Sequence, residues 1–320
     1  MNALRRSMFL ILVVALFQSG FLRADETTKG NSPSIAGSKA GEIRDDNLVK
    51  IKLIWCPAGR FQMGGLTDVE EWEQDQKLAP TQREVRQVDT ILAEGFWLGQ
   101  TEVTQSCWKR IMATTPWDDH TLVKSGEEYP AVCISWKDAI RFCNKFTIAE
   151  RKAGRLPDDW EYNLPTEAQW EYACRAATNT RFSFEDSYSH LEDYAWYMES
   201  VSSEEMHPHQ VGQKKPNAWG FFDMHGNVGE ICRTPFATDD SPAQNVATAV
   251  NRPQSVTRGG FWYGWWFNCR SASRVEGSRA ESSVTTGFRF ALVRTGNPKL
   301  QSNGGKSVDT RRSQLSQIKN

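Results

Sequence analysis

The sequence predicts one loop-rich domain of mixed short strands and a few helices, packed on aromatic side chains rather than on repeating layers. Three observations predict it. Only three helices carry clear start signals, the strand candidates are five to seven residues long, and thirteen tryptophans are spread through segments punctuated by Gly, Pro and Asn. No internal repeat is evident, and no polar linker divides residues 53–294. A chain of 320 residues can build one sizeable core.

The elements follow in chain order. Residues 51–57 and 59–63 read as short strands around a turn, and 95–101 as another, with Phe96, Leu98 and Thr101 among its β-prone residues. Thr104 caps a helix running to Met112, with Cys107, Trp108 and Ile111 on one face. Ser135 caps a second helix over 136–150, with Asp138 in its first turn and Ala139, Phe142, Cys143 and Phe146 at helical spacing. Thr166 opens a third, and Gln169 three residues later completes a capping box. Beyond Ala177 the chain reads mostly as loop.

The flanks are different. Arg5 and Arg6 precede an apolar run at 8–17, with small or polar residues following to Ala24. That layout is a secretory signal peptide over 1–24, too short in its apolar part for a membrane span; an uncleaved N-terminal anchor is the alternative. Residues 25–48 and 296–320 are polar and read as a disordered linker and tail around a domain at 49–295. The protein is therefore expected to be exported, to the periplasm or the extracellular space, with no other membrane segment. A formal net charge of −1 with scattered basic residues leaves no footprint for nucleic acid. Seven irregularly spaced cysteines, with no Cys-x-x-Cys, argue against structural zinc, and the odd count leaves at least one thiol unpaired within the chain.

The densest segment is 258–274, Arg-Gly-Gly-Phe-Trp-Tyr-Gly-Trp-Trp-Phe-Asn-Cys-Arg-Ser-Ala-Ser-Arg. Aromatics at this density beside cations and a thiol either wall a core or line a groove. Trp262, Trp265, Trp266, Arg270 and Arg274 are candidates to grip a peptide or glycan. Core packing is the competing account for the tryptophans, Trp262 above all, and Arg274 and Arg289 could equally be partners of buried carboxylates. His207, His209 and His225 lack further ligands at metal-binding spacing and read as satisfied surface histidines.

Several blocks together resemble a known family. Phe96-Trp97-Leu98-Gly99-Gln100-Thr101-Glu102-Val103-Thr104, Tyr129-Pro130-Ala131-Val132-Cys133-Ile134-Ser135-Trp136 and the block from Leu164 to Arg175 are similar to conserved stretches of the sulfatase-modifying factor family. So are the run from Asn217 to Val228, Arg258-Gly259-Gly260, the run from Cys269 to Arg274, and Gly287-Phe288-Arg289, all in family order. The resemblance implies an α+β domain with a modified C-type-lectin-like fold. It also implies formylglycine generation, that is, O2-dependent oxidation of a sulfatase cysteine by a copper ion held between two cysteines, or a related oxidation, with a sulfatase or another exported polypeptide as partner. In that pattern the second copper cysteine and candidate catalytic thiol is Cys269, while the first falls on Gly264 and a nearby serine on Phe261. Two thiolates hold Cu(I); one thiolate and a glycine do not. A catalytically silent binding module is the alternative that this departure favours.

The resemblance carries two further expectations. A disulfide between Cys174 and Cys269 is expected in an exported member, stabilising by about 3–4 kcal/mol through loop closure. The stretch 223–230 resembles a structural calcium loop, with Asp223 and Glu230 as carboxylate ligands and Gly226 and Val228 giving backbone carbonyls.

Overall fold

The computed structural model describes residues 35–65, 87–235 and 254–295. Those from Ala36 onward belong to one compact unit. Its main sheet has five antiparallel strands in the order β1 (Ile43–Arg44), β2 (Leu53–Cys56), β5 (Phe96–Gly99), β11 (Ala291–Arg294) and β6 (Trp160–Asn163). Every residue of β2 and β5 is buried, so these strands read as apolar runs without alternation. Trp55 pairs with Trp97 across them, ring centroids 5.2 Å apart.

A hairpin of β3 (Gly59–Met63) and β4 (Val88–Leu92) stands beside this sheet. A second sheet has the order β10 (Thr286–Gly287), β7 (Gly229–Pro235), β8 (Gln254–Arg258) and β9 (Val275–Ser278), with β10 and β7 parallel. It brings the aromatic segment, which links β8 to β9, beside the 223–228 loop that leads into β7.

All three expected helices form, with their caps. In α1 (Gln105–Met112) the Thr104 hydroxyl accepts from the Cys107 amide, and Cys107 and Trp108 are buried while Ile111 is half-buried. Ser135 does the same for the Asp138 amide at the start of α2 (Trp136–Lys152). Phe142 and Phe146 of α2 meet Phe290, just before β11, and Phe146 stacks on Tyr162 of β6 at 4.0 Å. In α3 (Glu167–Arg175) both halves of the capping box are made: the Gln169 amide to the Thr166 hydroxyl at 3.2 Å and the Thr166 amide to the Gln169 side chain at 2.9 Å.

The linker reading of 25–48 fails over its described part. Arg44 and Ile43 pair with Leu53 and Ile54, and the Trp55 amide donates to the Glu42 carbonyl at 2.9 Å. A Cβ at Gly37 would lie 2.5 Å from Trp55 Cγ, so that backbone rests on the indole. The order comes from main-chain pairing and one ring contact, which composition does not reveal. The signal peptide and the tail at 296–320 lie outside the described residues. No described helix is long and apolar enough to cross a membrane.

Candidate functional site

The aromatic segment hangs from one arginine. Arg258 ends β8 fully buried, and its Nη1 donates to the carbonyls of Ala272 (2.8 Å) and Ser273 (2.7 Å), tying the two ends of the segment together. Its Nη2 pairs with Glu171 of α3, and Nη1 lies 3.8 Å from Glu167. Arg274 pairs with Glu167 as well, Nη2 to Oε2 at 3.0 Å. Glu171 also accepts from Arg175 Nε and the Gly64 amide, each at 2.8 Å. Buried charges survive only when paired and hydrogen-bonded, and here two glutamates of α3 meet three arginines.

The glycine pair after Arg258 has a steric purpose. Gly259 and Gly260 adopt φ of 93° and 76°, and a Cβ at Gly260 would lie 2.7 Å from Cys269 Sγ. One turn of 3-10 helix at Trp266–Cys269 follows, closed by the Trp265 amide donating to the Asn268 side chain at 3.0 Å.

The five expected groove residues divide. Trp262, Arg270 and Arg274 are buried, so they line no groove: Trp262 is a core residue, Arg270 Nε donates to the Phe267 carbonyl at 2.9 Å, and Arg274 is the ion partner just described. Trp265 points outward, whereas Trp266 is half-buried and packs against the cluster around Cys269. Trp265 is 48% exposed, and Trp266 stacks on Tyr188 with centroids 4.6 Å apart and planes 13° off parallel. Sequence reasoning missed Tyr188 and Tyr263, exposed at 49% and 52%. Tyr263 lies inside the aromatic run, but the direction of each side chain there depends on the turns, which no periodicity reports.

Cys269 is fully enclosed by Phe182, Leu191, Ala195 and Tyr197. Burial, reinforced by the nearby Glu199 carboxylate, pushes its thiol far above the ordinary range. Cys174 belongs to a different cluster, with Cys56, Trp170 and Met224, and burial raises it to about 12. The expected Cys174–Cys269 disulfide is absent: all seven cysteines are free thiols. His225 stands between the two. Its Nδ1–H donates to the Cys269 carbonyl at 2.8 Å, and its Nε2 takes hydrogen bonds from Ser183 while lying 4.0 Å from Cys174 Sγ. Contrary to expectation, this histidine is a buried structural tie, and burial lowers it to about 4.

The other two histidines are buried too. His209 stacks on Trp196 at 3.8 Å and on His207 at 4.7 Å, while Lys214 Nζ covers the Trp196 ring at 3.9 Å. The backbone around Asn227 binds these loops together: its amide donates to the Trp196 carbonyl, its carbonyl accepts from the Trp262 amide, and its side chain accepts from the His209 amide. Gly226 is obligatory there, because a Cβ would lie 2.4 Å from the Trp196 carbonyl oxygen.

The calcium set expected on this loop does not fit as a whole. Both oxygens of Glu230 are taken, by Arg289 Nε and Nη2 (each 2.6 Å) and by Trp170 Nε1 (2.7 Å). A carboxylate locked by a bidentate guanidinium is a poor partner for a second cation. Asp223 is buried with its Oδ2 accepting from the Gly212 amide and its Oδ1 unpartnered among the described residues. Among the described residues no three His, Cys, Asp or Glu side chains gather as metal ligands.

Residues 40–294 match the family model of the sulfatase-modifying factor enzyme 1-like domain. The chain belongs to this family. Among relatives, it is 27% identical over 212 residues to the chaperone protein LppX of Paenibacillus barcinonensis, spanning 54% of this chain and 71% of that protein. It is 22% identical to the formylglycine-generating enzyme of Mus musculus over 76% of each, and 24% identical to that of Thermomonospora curvata over 64% and 66%. Among solved structures, PvdO from Pseudomonas aeruginosa superposes with a TM-score of 0.64 at 22% identity, covering 80% of this chain and 100% of that one. Treponema denticola variable protein 1 gives 0.60 at 24%, covering 78% and 98%. At such identities these likenesses speak to the fold, and they agree with a single α+β domain of the formylglycine-generating-enzyme type.

Proposed function

We propose that this protein is an exported binding member of its family, holding a polypeptide or glycan on the aromatic face of residues 258–274 without oxidising it. One observation carries the reading: the segment that should hold copper turns its only thiol, Cys269, into the core, while Tyr263 and Trp265 face solvent. The donor chemistry agrees. Position 264 is a glycine, and a single thiol cannot provide the paired thiolates that Cu(I) favours. Exposed aromatic rings held on a rigid frame are suited to gripping a ligand at little conformational cost. The curated relatives include both a chaperone and formylglycine-generating enzymes, so the family context accommodates binding as well as catalysis. The N-terminal layout supports export.

The relatives named as enzymes, together with the retained Cys269, favour one second reading, oxidation of a cysteine in a sulfatase. A Cys-x-Pro-x-Arg peptide incubated with the Cu(I)-treated protein in air separates the two. No aldehyde, with binding of the peptide or of members of a glycan array that is lost in Trp265→Ala, is the expected result. Aldehyde formation overturns the proposal.

A further inference from the structure

The exposed rings of the aromatic face sit in an acidic neighbourhood. From Phe182 to Gln213 the chain carries carboxylates at 185, 186, 192, 193, 199, 204 and 205 and no Lys or Arg. Two contacts fold this stretch against the face. Tyr188, itself exposed, stacks on Trp266, and the Met198 amide donates to the Gly264 carbonyl at 2.9 Å. Gly264 lies between Tyr263 and Trp265, so this one bond brings Glu199, the residue after Met198, beside both exposed rings.

Most cations that could neutralise this edge are engaged elsewhere. Arg258 and Arg274 are buried with Glu167 and Glu171, and Arg270 is buried with its Nε on the Phe267 carbonyl. Lys215 pairs with Asp193 at 2.8 Å, while Lys214 lies over the Trp196 ring and donates to the Glu192 carbonyl at 2.6 Å. His190 meets Glu185 at 2.6 Å. Arg181, just ahead of the stretch, is half-buried, and its amide binds Asp186. One guanidinium against Asp186, Glu192 and Glu199 leaves the edge negative. Glu199 is exposed and has no ion-pair partner among the described residues. Partial burial holds its carboxyl above the ordinary range, and its charge reaches Tyr197 and Cys269 beneath the face. A carboxylate so placed is stabilised by a cation that reaches it.

We propose that Tyr188, Tyr263, Trp265 and Glu199 form a site for cationic side chains, so that the ligand of the aromatic face is a polypeptide segment rich in Lys or Arg. An indole or phenol face attracts a cation through its quadrupole, and a guanidinium also stacks flat on it. Glu199 supplies the full charge beside the rings. The remaining carboxylates repel an acidic partner and favour the approach of a basic one. A neutral glycan would use the rings and leave the carboxylate unanswered. The inference rests on the reading of this face as a binding surface and adds the charge of what it binds.

The test is fluorescence-polarisation titration of the full chain with a labelled octapeptide of alternating Gly and Arg, against the same peptide with citrulline or Glu in place of Arg. The arginine peptide should bind at least about tenfold more tightly than either. Raising salt from about 0.05 M to about 0.5 M should weaken it. Glu199→Gln should weaken it about threefold, with less salt dependence and an unchanged melting point. Trp265→Ala should weaken it about fivefold and keep the salt dependence. Equal binding of the citrulline peptide, lost in Trp265→Ala, overturns the charge assignment while the face stays a binding surface. Arginine-peptide binding untouched by Trp265→Ala removes the face itself, and the proposal with it. Absence of arginine-peptide binding, or an affinity unchanged in Glu199→Gln, also overturns the proposal.

Discussion

Replacing Arg258 by Met would release the aromatic segment from its frame. The methionine keeps the apolar contact with Trp170, over which the guanidinium lies at 5.4 Å, but loses every polar bond. The carbonyls of Ala272 and Ser273 lose their donor, and Glu167 and Glu171 lose one cation. Breaking a buried pair from one side costs about 3–5 kcal/mol. The lower end applies here, since Glu171 keeps Arg175 and the Gly64 amide, and Glu167 keeps Arg274. About 3 kcal/mol corresponds to a melting point roughly 6–12 °C lower for a domain of this size. Arg258→Lys, which keeps the charge without the planar fork, should lose about half as much. Urea unfolding gives the free energies, and hydrogen exchange over 259–273 gives the local release. A Met variant within 1 kcal/mol of wild type, or exchange in that segment unchanged, would refute the idea that one side chain clamps both ends.

Three further outcomes are expected. His225 is held near a pKa of about 4 against 6.5 unfolded, so the unfolded state binds more protons between these values and stability falls as pH drops through that window; urea melts at pH 7 and 4.5 should differ by about 2–3 kcal/mol from this group, and His225→Gln should shrink the difference. Native protein should react with no aromatic disulfide reagent and denatured protein should titrate all seven thiols; a count of five would mean that Cys174 and Cys269 are joined after all. Gly226→Ala should cost about 2 kcal/mol or more, read as a lower denaturant midpoint, because its methyl would press on the Trp196 carbonyl.

The helices were legible because their starts are written locally. Thr104, Ser135 and Thr166 each act on the amide three residues on, and Gln169 completes a box whose members are neighbours in sequence. The charge network was not legible, because its partners come from distant positions: Arg289 meets Glu230 and carbonyls of Gly99 and Phe222. The same limit governed the site. The segment 258–274 stands out by its density, yet which rings face outward depends on a glycine pair and one 3-10 turn, so the sequence leaves Trp262 and Arg274 between groove and core, and the fold puts both in the core. Glu102 lies in a strand motif, and nothing in the sequence sets it apart. Only once Asp223 has been folded against it is its second oxygen seen to lack a partner among the described residues.

The clamp at Arg258 has an evolutionary consequence. Since Arg258 at one end holds the carbonyls of Ala272 and Ser273 at the other and pairs with α3, the frame asks nothing of the outward residues between them. Tyr263 and Trp265 can be exchanged without touching the ion pairs below, so this stretch behaves as an interchangeable cassette. The character of the exposed face can then change by point substitution at two positions, while the fold beneath is inherited intact.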